Sequence, residues 1–331
     1  MEMRKGLMAF VCNKMKIDAE RNGKVGKQRF YAGGIEIEVR SDLPIAKDTF
    51  AAKFHSFRAD LETSGSNDQV ILNHHFFLPE IRIERLGEPV YQQAPWAIYR
   101  PASKWVYMGI LPEGSGHDFH RIAIFSADHA CGHIFSPSAQ AWETGGLHSL
   151  TLFPTDQILL ARLLADRDGV ILHSAAMEIG GRGFVFLGHS EAGKSTTVTQ
   201  LRGMGTILCD DRNIVRREYM GFRLYGTWSH GDVPEVSGSH SPRLGALFFL
   251  RQSRENRAIP LPDKAEVFKR LVPLVVRPLA TSGWWQRVME TMENMVRTVP
   301  AYELRLDKSG EVRGVLEQLL GNMNRGEGGA K

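Results

Sequence analysis

The stretch GHSEAGKST, residues 188–196, constrains this chain more than any other part of it. It fits G-x-x-x-x-G-K-[ST] and directly follows the apolar run FVFL, residues 184–187. A loop of this kind needs a strand to deliver it and a helix to begin where it ends. Successive backbone N–H groups can then converge on phosphate oxygens, with the positive end of the helix dipole beside them. Gly188 and Gly193 let the backbone turn, Lys194 would reach the β- and γ-phosphates, and Ser195 offers a hydroxyl to Mg²⁺. The candidate nucleotide-binding residues are therefore Gly188, His189, Ser190, Glu191, Ala192, Gly193, Lys194, Ser195 and Thr196.

The flanking sequence supplies the context. VILHSAAMEI, residues 170–179, reads as a strand; GGRG, 180–183, as a tight turn; and 184–187 as the returning arm, so the loop leaves a hairpin. After the loop, residues 196–202 read as a helix with Val198 and Leu201 inward, ended by Gly203 and Gly205. TILCDD, residues 206–211, is a strand ending in Asp210 and Asp211. In an α/β fold it can lie beside the loop strand and open on the same crevice. Adjacent strand residues point to opposite faces, so both carboxylates reach the phosphates only if the chain splays there. One would then hold Mg²⁺ and the other take the proton of an attacking hydroxyl. The bland alternative is an Asp pair satisfying turn N–H groups. His173, on the first hairpin arm, is open to two readings, a core histidine or an active-site group.

The rest of the chain suggests a division at about 153/154, with a β-rich N-terminal domain over residues 1–153 that helps present an acceptor, and a second domain over 154–331. GIEIEVR alternates Ile35, Ile37 and Val39 with Glu36, Glu38 and Arg40, the pattern of a half-buried strand. EIRIERLGEP predicts another through Ile81 and Ile83, turning at Gly87. WAIYR, KWVYMGI and the pair within HRIAIFSADHACGHIF add four more. Thr155 is a candidate N-cap for a helix whose face is Ile158, Leu159, Leu163 and Leu164 and which Gly169 ends. NIVRREYMGFRLYG reads as a hairpin at Met220 and Gly221, LGALFFL and NRAIPL as strands, and PDKAEVFKRLV as a helix from Pro262. A helix over 284–297, a strand AYELRL and a closing helix follow, then a Gly/Asn tail expected to be disordered. The loop WSHGDVP, with Trp228, His230 and Asp232, either borders the acceptor site or is a solvated turn. Arg243 reads as an exposed strand-flanking residue ahead of a phosphate contact. His129, Cys131 and His133, with His117 and His120 upstream, are Zn²⁺ ligand types. Their H-x-C-x-H spacing has no matching second pair, and no metal is expected there.

At 331 residues the chain has room for two domains, and its 43% hydrophobic and 24% charged residues are those of a globular protein. A net charge of +4 is too small to suggest a nucleic-acid partner. No run is long enough to span a bilayer. The N-terminal LMAFV patch lacks the features of a secretory signal. The three cysteines, Cys12, Cys131 and Cys209, contain no C-x-x-C. A cytoplasmic protein with no membrane partner is expected, and a homo-oligomer stays open.

The stretch LHSAAMEIGGRGFVFLGHSEAGKSTTVTQLRGMGTILCDD resembles the catalytic core of the HPr kinase/phosphorylase family, which has a phosphoenolpyruvate-carboxykinase-like phosphate-loop fold. Histidine strand, glycine turn, loop, helix ending in glycine and Asp-Asp pair occur in order over about residues 170–215. Residues 226–261 resemble the shorter HPr-kinase-like proteins of bacterial operons, some of which phosphorylate a serine of a small precursor peptide. The resemblance implies an α/β fold with a mixed sheet, and an ATP- and Mg²⁺-dependent serine kinase acting on a protein or peptide. It implies that Asp210 is the general base, that Asp211 and Ser195 are Mg²⁺ ligands, and that His173 and Lys194 act at the phosphates. Alignment order alone separates the two aspartates. The chain departs from the family in lacking the Pro-Gly-Arg-Asn stretch tied to dephosphorylation, and in carrying Thr196 where an acidic residue is usual. HPr as acceptor and a phosphorylase activity are therefore not implied. The rivals are a small-molecule kinase and a nucleotide-binding accessory or regulatory ATPase.

Overall fold

The computed structural model describes residues 25–59, 68–110, 119–153 and 156–328. Cys12, His117, Pro154, Thr155 and the LMAFV patch fall outside them. The chain is mixed α/β and divides into two compact units. One comprises residues up to Phe30, Glu36–Ala52 and Ala59–Asp156; the other Tyr31–Ile35, Lys53–Arg58 and everything from Gln157 on.

The first unit is built on a nine-stranded mixed sheet. Its strands are β1 (Gly26–Ala32), β2 (Ile35–Ser41), β3 (Arg58–Ala59), β4 (Gln69–His75), β5 (Pro89–Gln93), β6 (Trp96–Tyr99), β7 (Lys104–Ile110), β8 (Phe119–Ser126) and β9 (Cys131–Phe135). They run in the order β3-β1-β2-β4-β9-β8-β7-β6-β5. β4 lies parallel to both β2 and β9, and β5 to β9 form an antiparallel meander. One short helix, α1 (Gln140–Thr144), follows.

Two expectations fail here for physical reasons. The alternation in β2 does not mark a solvated face, because Glu36 and Glu38 are as buried as their apolar neighbours. Glu38 is tolerated because Lys27 Nζ, Arg29 Nε and Arg40 Nη2 lie 2.8, 3.0 and 2.5 Å from its carboxylate. Burial alone would raise its pKa, but hydrogen bonds from these cations outweigh it and bring it to about 2. The predicted strand through Ile81 and Ile83 is absent. Ile83–Arg85 is a 3-10 turn, and Ile81, Ile83 and Leu86 pack on the core of the meander from a loop. The strand in this region lies further on, in β5.

The second unit has an eight-stranded mixed sheet of β10 (Gly169–Ile179), β11 (Arg182–Leu187), β12 (Thr206–Cys209), β13 (Arg212–Glu218), β14 (Gly221–Tyr225), β15 (Arg243–Gln252), β16 (Arg257–Pro260) and β17 (Ala301–Leu306). The path runs β11-β10-β13-β14-β15-β17-β16, with β12 on β10 and β11 also paired to β15. Its helices are α2 (Gln157–Ala165), α3 (Lys194–Gln200), α4 (Lys264–Leu271), α5 (Trp284–Thr298) and α6 (Val312–Gly328). α6 continues as helix where a disordered tail is expected. α4 begins at Lys264 behind Asp263, whose carboxylate accepts from the Ala265 and Glu266 N–H groups.

The apolar runs of β10 and β11 are continuous because both faces are covered. Val170, Leu172, Val185 and Leu187 pack with Val267, Leu271, Trp284, Val288 and Met292 of α4 and α5. Met177, Ile179, Phe184 and Phe186 pack with Val198 and Leu201 after the loop and with Val312 and Leu316 of α6. Within β10 only His173 and Glu178 are half-exposed.

Candidate functional site

The expected hairpin is present, and β11 ends at Leu187 where the loop begins. β12 does not lie beside it, as the sequence suggested. β10 stands between them, antiparallel to both, so β11 and β12 are parallel and finish at the same end of the sheet. Register fixes the level. Ser174 stands opposite Leu187, and the Ser174 N–H donates to Asp211 O at 3.0 Å. Loop start, His173 and both aspartates therefore share one end of the sheet.

The loop itself is tightly turned. A Cβ on Gly188 would lie 2.5 Å from that of Ala192, so only glycine allows the close approach. Gly193 has φ +99° and caps α3. His189, Ser190 and Glu191 are exposed, and Thr196 is an exposed residue of the first helical turn. The Lys194 side chain is buried and folds back, Nζ donating to Gly188 O at 2.9 Å and His189 O at 3.0 Å. Burial lowers the Lys194 pKa and Arg212 adds to the shift, while Asp211 and Asp210 pull it back up.

The two aspartates are held differently. Asp210 is buried and accepts from Ser195 Oγ at 2.9 Å, Gly231 N at 2.6 Å and Val233 N at 2.9 Å. A Cβ on Gly231 would sit 3.1 Å from Asp210 Oδ2, which suits glycine there. Asp211 is a quarter exposed, with Oδ1 3.1 Å from His173 Nδ1. The Arg212 guanidinium contacts both the Asp211 carboxylate and His173 Nδ1. Burial works to raise the Asp211 pKa, but the His173 hydrogen bond and the charges of Arg212 and Lys194 hold it below the ordinary carboxylate range. Asn213 fastens the turn beneath, donating to Ser174 O at 2.7 Å and Cys209 O at 3.1 Å.

Lys194, Ser195, Asp210, Asp211 and His173 thus come together. Other candidates do not join them. Arg243 is exposed and opens β15 opposite Arg182, at the far end of β11 from the loop. Trp228 is buried, its ring 5.0 Å from that of Phe54 and 5.3 Å from that of Phe57, so it is core. His230 and Asp232 are exposed beside Gly231. His129 sits in the turn before β9, with Nε2 2.8 Å from the Tyr107 hydroxyl, while His133 meets His75 at 3.2 Å. The H-x-C-x-H residues therefore do not share one strand face. Arg212 and the Gly231 and Val233 N–H groups were missed. The run CDDRN was the available signal for the first; the backbone donors have no side-chain signature.

The family profile described as SynChlorMet cassette protein ScmC matches residues 155–321. No curated protein matches the chain. Among solved structures, that of the Hpr(Ser) kinase/phosphatase from Coxiella burnetii is similar over 48% of this chain and 93% of that chain, at 10% identity and a TM-score of 0.29. Among the described residues, no helix is long and apolar enough to cross a membrane.

Proposed function

The chain belongs to the SynChlorMet cassette protein ScmC family, and on that premise we propose that it is an ATP- and Mg²⁺-dependent kinase transferring a γ-phosphate to a serine hydroxyl of a protein or peptide, in the cytoplasm. The observation that carries this reading is the 2.9 Å hydrogen bond from Ser195 Oγ to Asp210, which ties the loop to the carboxylate strand. Residues 188–196 would hold the polyphosphate through backbone N–H groups, with Lys194 swinging from the carbonyls of Gly188 and His189 onto phosphate oxygens. Ser195 and Asp210 are hard oxygen donors already in contact and fit Mg²⁺, which would neutralise phosphate charge.

The contacts favour exchanging the roles that alignment order suggested for the two aspartates. Asp210, buried on Ser195 and two backbone N–H groups, fits the cation side. Asp211, partly exposed and held by His173 and Arg212, fits the base that takes the proton of an incoming hydroxyl. Its lowered pKa keeps it ionised at neutral pH. His173 would orient that carboxylate and Arg212 would balance its charge.

The test is transfer of labelled γ-phosphate to the other polypeptide products of the cassette across a Mg²⁺ titration. Label on a serine supports the reading. ATP turnover that yields only inorganic phosphate with every polypeptide tried points to an accessory ATPase instead.

A further inference from the structure

β15, β16 and β17 carry an arginine row that the reaction above does not use. Arg251 of β15 and Arg257 of β16 both stand in register with Arg305 of β17. Residues opposed in register project from one sheet face, so the three guanidinium groups lie on the same side. Like charges in that arrangement destabilise a sheet. Among the described residues one carboxylate meets them: Glu303, on the same face two residues before Arg305. It lies 2.9 Å from Arg305 Nε, 3.5 Å from Arg251 Nη1 and 3.1 Å from Arg270 Nη1 of α4. Arg270 also reaches Glu266 at 2.7 Å. Protection of an edge strand explains a charge on β16, which ends the sheet, but not those on β15 and β17 inside it.

The row therefore carries excess positive charge, and it is open to solvent. The Arg251 side chain is 63% exposed, and Arg257 is exposed as well. It stands at the sheet end where the loop begins: Arg251 lies two residues beyond Phe249, which pairs with Leu187, and Gln252, on the opposite face, donates to Glu191 O at 2.8 Å.

We propose that the row of Arg251, Arg305 and Arg257 is a docking surface for an acidic segment of the acceptor polypeptide, at the same end of the sheet as the residues that would transfer phosphate but on the opposite face from α3. This rests on the kinase reading. Guanidinium forks match carboxylates in two-point contact. Three strands at about 4.8 Å spacing give a row about 10 Å long, the reach of two or three same-side residues of an extended peptide. That is short for a groove that tracks a nucleic-acid backbone. Counted across the strands from Asp211, which follows β12 two strands beyond β11, the row lies about 15–25 Å away. At about 3.3 Å per extended residue, the acidic positions should fall about four to eight residues from the acceptor serine.

The test uses the full chain and three fluorescent probes: a serine peptide with neighbouring aspartates, the same peptide with asparagines, and an oligothymidine of matching charge. Anisotropy should show the aspartate peptide binding about tenfold tighter than the asparagine peptide, with the advantage shrinking in salt. The double variant Arg251→Gln, Arg257→Gln should lose that advantage while melting as the parent does and binding Mg·ATP unchanged. It keeps Arg305 and Arg270, which hold Glu303. Equal affinity for the two peptides, undiminished binding by the double variant, or tighter binding of oligothymidine would each overturn the proposal. Preferred binding of the aspartate peptide supports the docking surface even where labelled ATP with every cassette polypeptide yields only inorganic phosphate, the outcome that overturns the kinase reading.

Discussion

Two buried carboxylates, Glu38 in the first unit and Asp210 in the second, show how differently burial can be compensated. Glu38 meets three side-chain cations, Lys27, Arg29 and Arg40. Asp210 is met by a hydroxyl and two backbone N–H groups, all neutral. Lys194, on which the Asp210 charge acts, gives its hydrogen bonds to loop carbonyls instead. A carboxylate neutralised by its own neighbours is a structural device. One held by neutral donors keeps its charge for something else, and in our reading that is Mg²⁺. The comparison predicts that mutations at the two sites fail in different measurements.

The largest effects belong to the loop end. Asp211→Asn should cut phosphate transfer by about 10²–10⁴-fold, the usual cost of losing a general base, with Mg·ATP binding retained. Asp210→Asn should instead raise the Mg²⁺ concentration needed for half-maximal rate. Both are read from labelled transfer over a Mg²⁺ titration with a parallel nucleotide-binding measurement. If Asp210→Asn loses chemistry at saturating Mg²⁺ and Asp211→Asn loses metal affinity, the roles return to the order first suggested by alignment. Lys194→Ala should abolish nucleotide-dependent chemistry and leave the fold intact, read by a cooperative thermal melt, as its amine donates to the loop carbonyls of Gly188 and His189 rather than to the core.

Glu38 should fail in stability alone. Its pKa falls from an ordinary 4.5 to about 2 on folding, so the folded state is favoured by about 3 kcal/mol wherever the unfolded carboxyl is ionised. That contribution is complete above pH 4.5 and fades as pH drops toward 2. Glu38→Gln should therefore flatten the acid limb of the unfolding curve and cost about 3 kcal/mol at neutral pH, because three cations lose their shared partner. Nucleotide affinity should not change. An acid limb identical to the parent's would remove the cation cluster as the reason for its burial.

The same contrast explains what could be read from the sequence. The hairpin, the loop and the two aspartates are local: glycines at 180 and 181, an apolar run, a motif and a strand end lie within a few dozen residues. Long-range features stayed hidden. Glu36 and Glu38 look solvent-facing until β1 brings Arg29 alongside. Trp228 looks like a solvated loop residue until Phe54 and Phe57 meet it and bury it. β12 sits next to β10 rather than β11 because pairing along both edges of the eleven-residue β10 is set by the sheet as a whole. β4, QVILNHH, escaped because its polar second half masks a strand that is buried between two parallel neighbours.

The smallest predicted effect probes the backbone donors, which no side-chain pattern reveals. Gly231 donates its N–H to Asp210 at 2.6 Å, and an added Cβ would stand 3.1 Å from Asp210 Oδ2. That is tight enough to push the carboxylate by a few tenths of an ångström, not to prevent folding. Gly231→Ala should lower overall stability by about 1 kcal/mol or less, the range of one weakened hydrogen bond. If Asp210 and Ser195 hold the cation together, the displaced carboxylate should raise the Mg²⁺ requirement several-fold while the rate at saturating Mg²⁺ stays near that of the parent. A variant that melts lower with an unchanged Mg²⁺ requirement would make the loop through Gly231 a purely structural support. It would also weaken the contrast with Glu38, since both carboxylates would then be anchored for the fold alone.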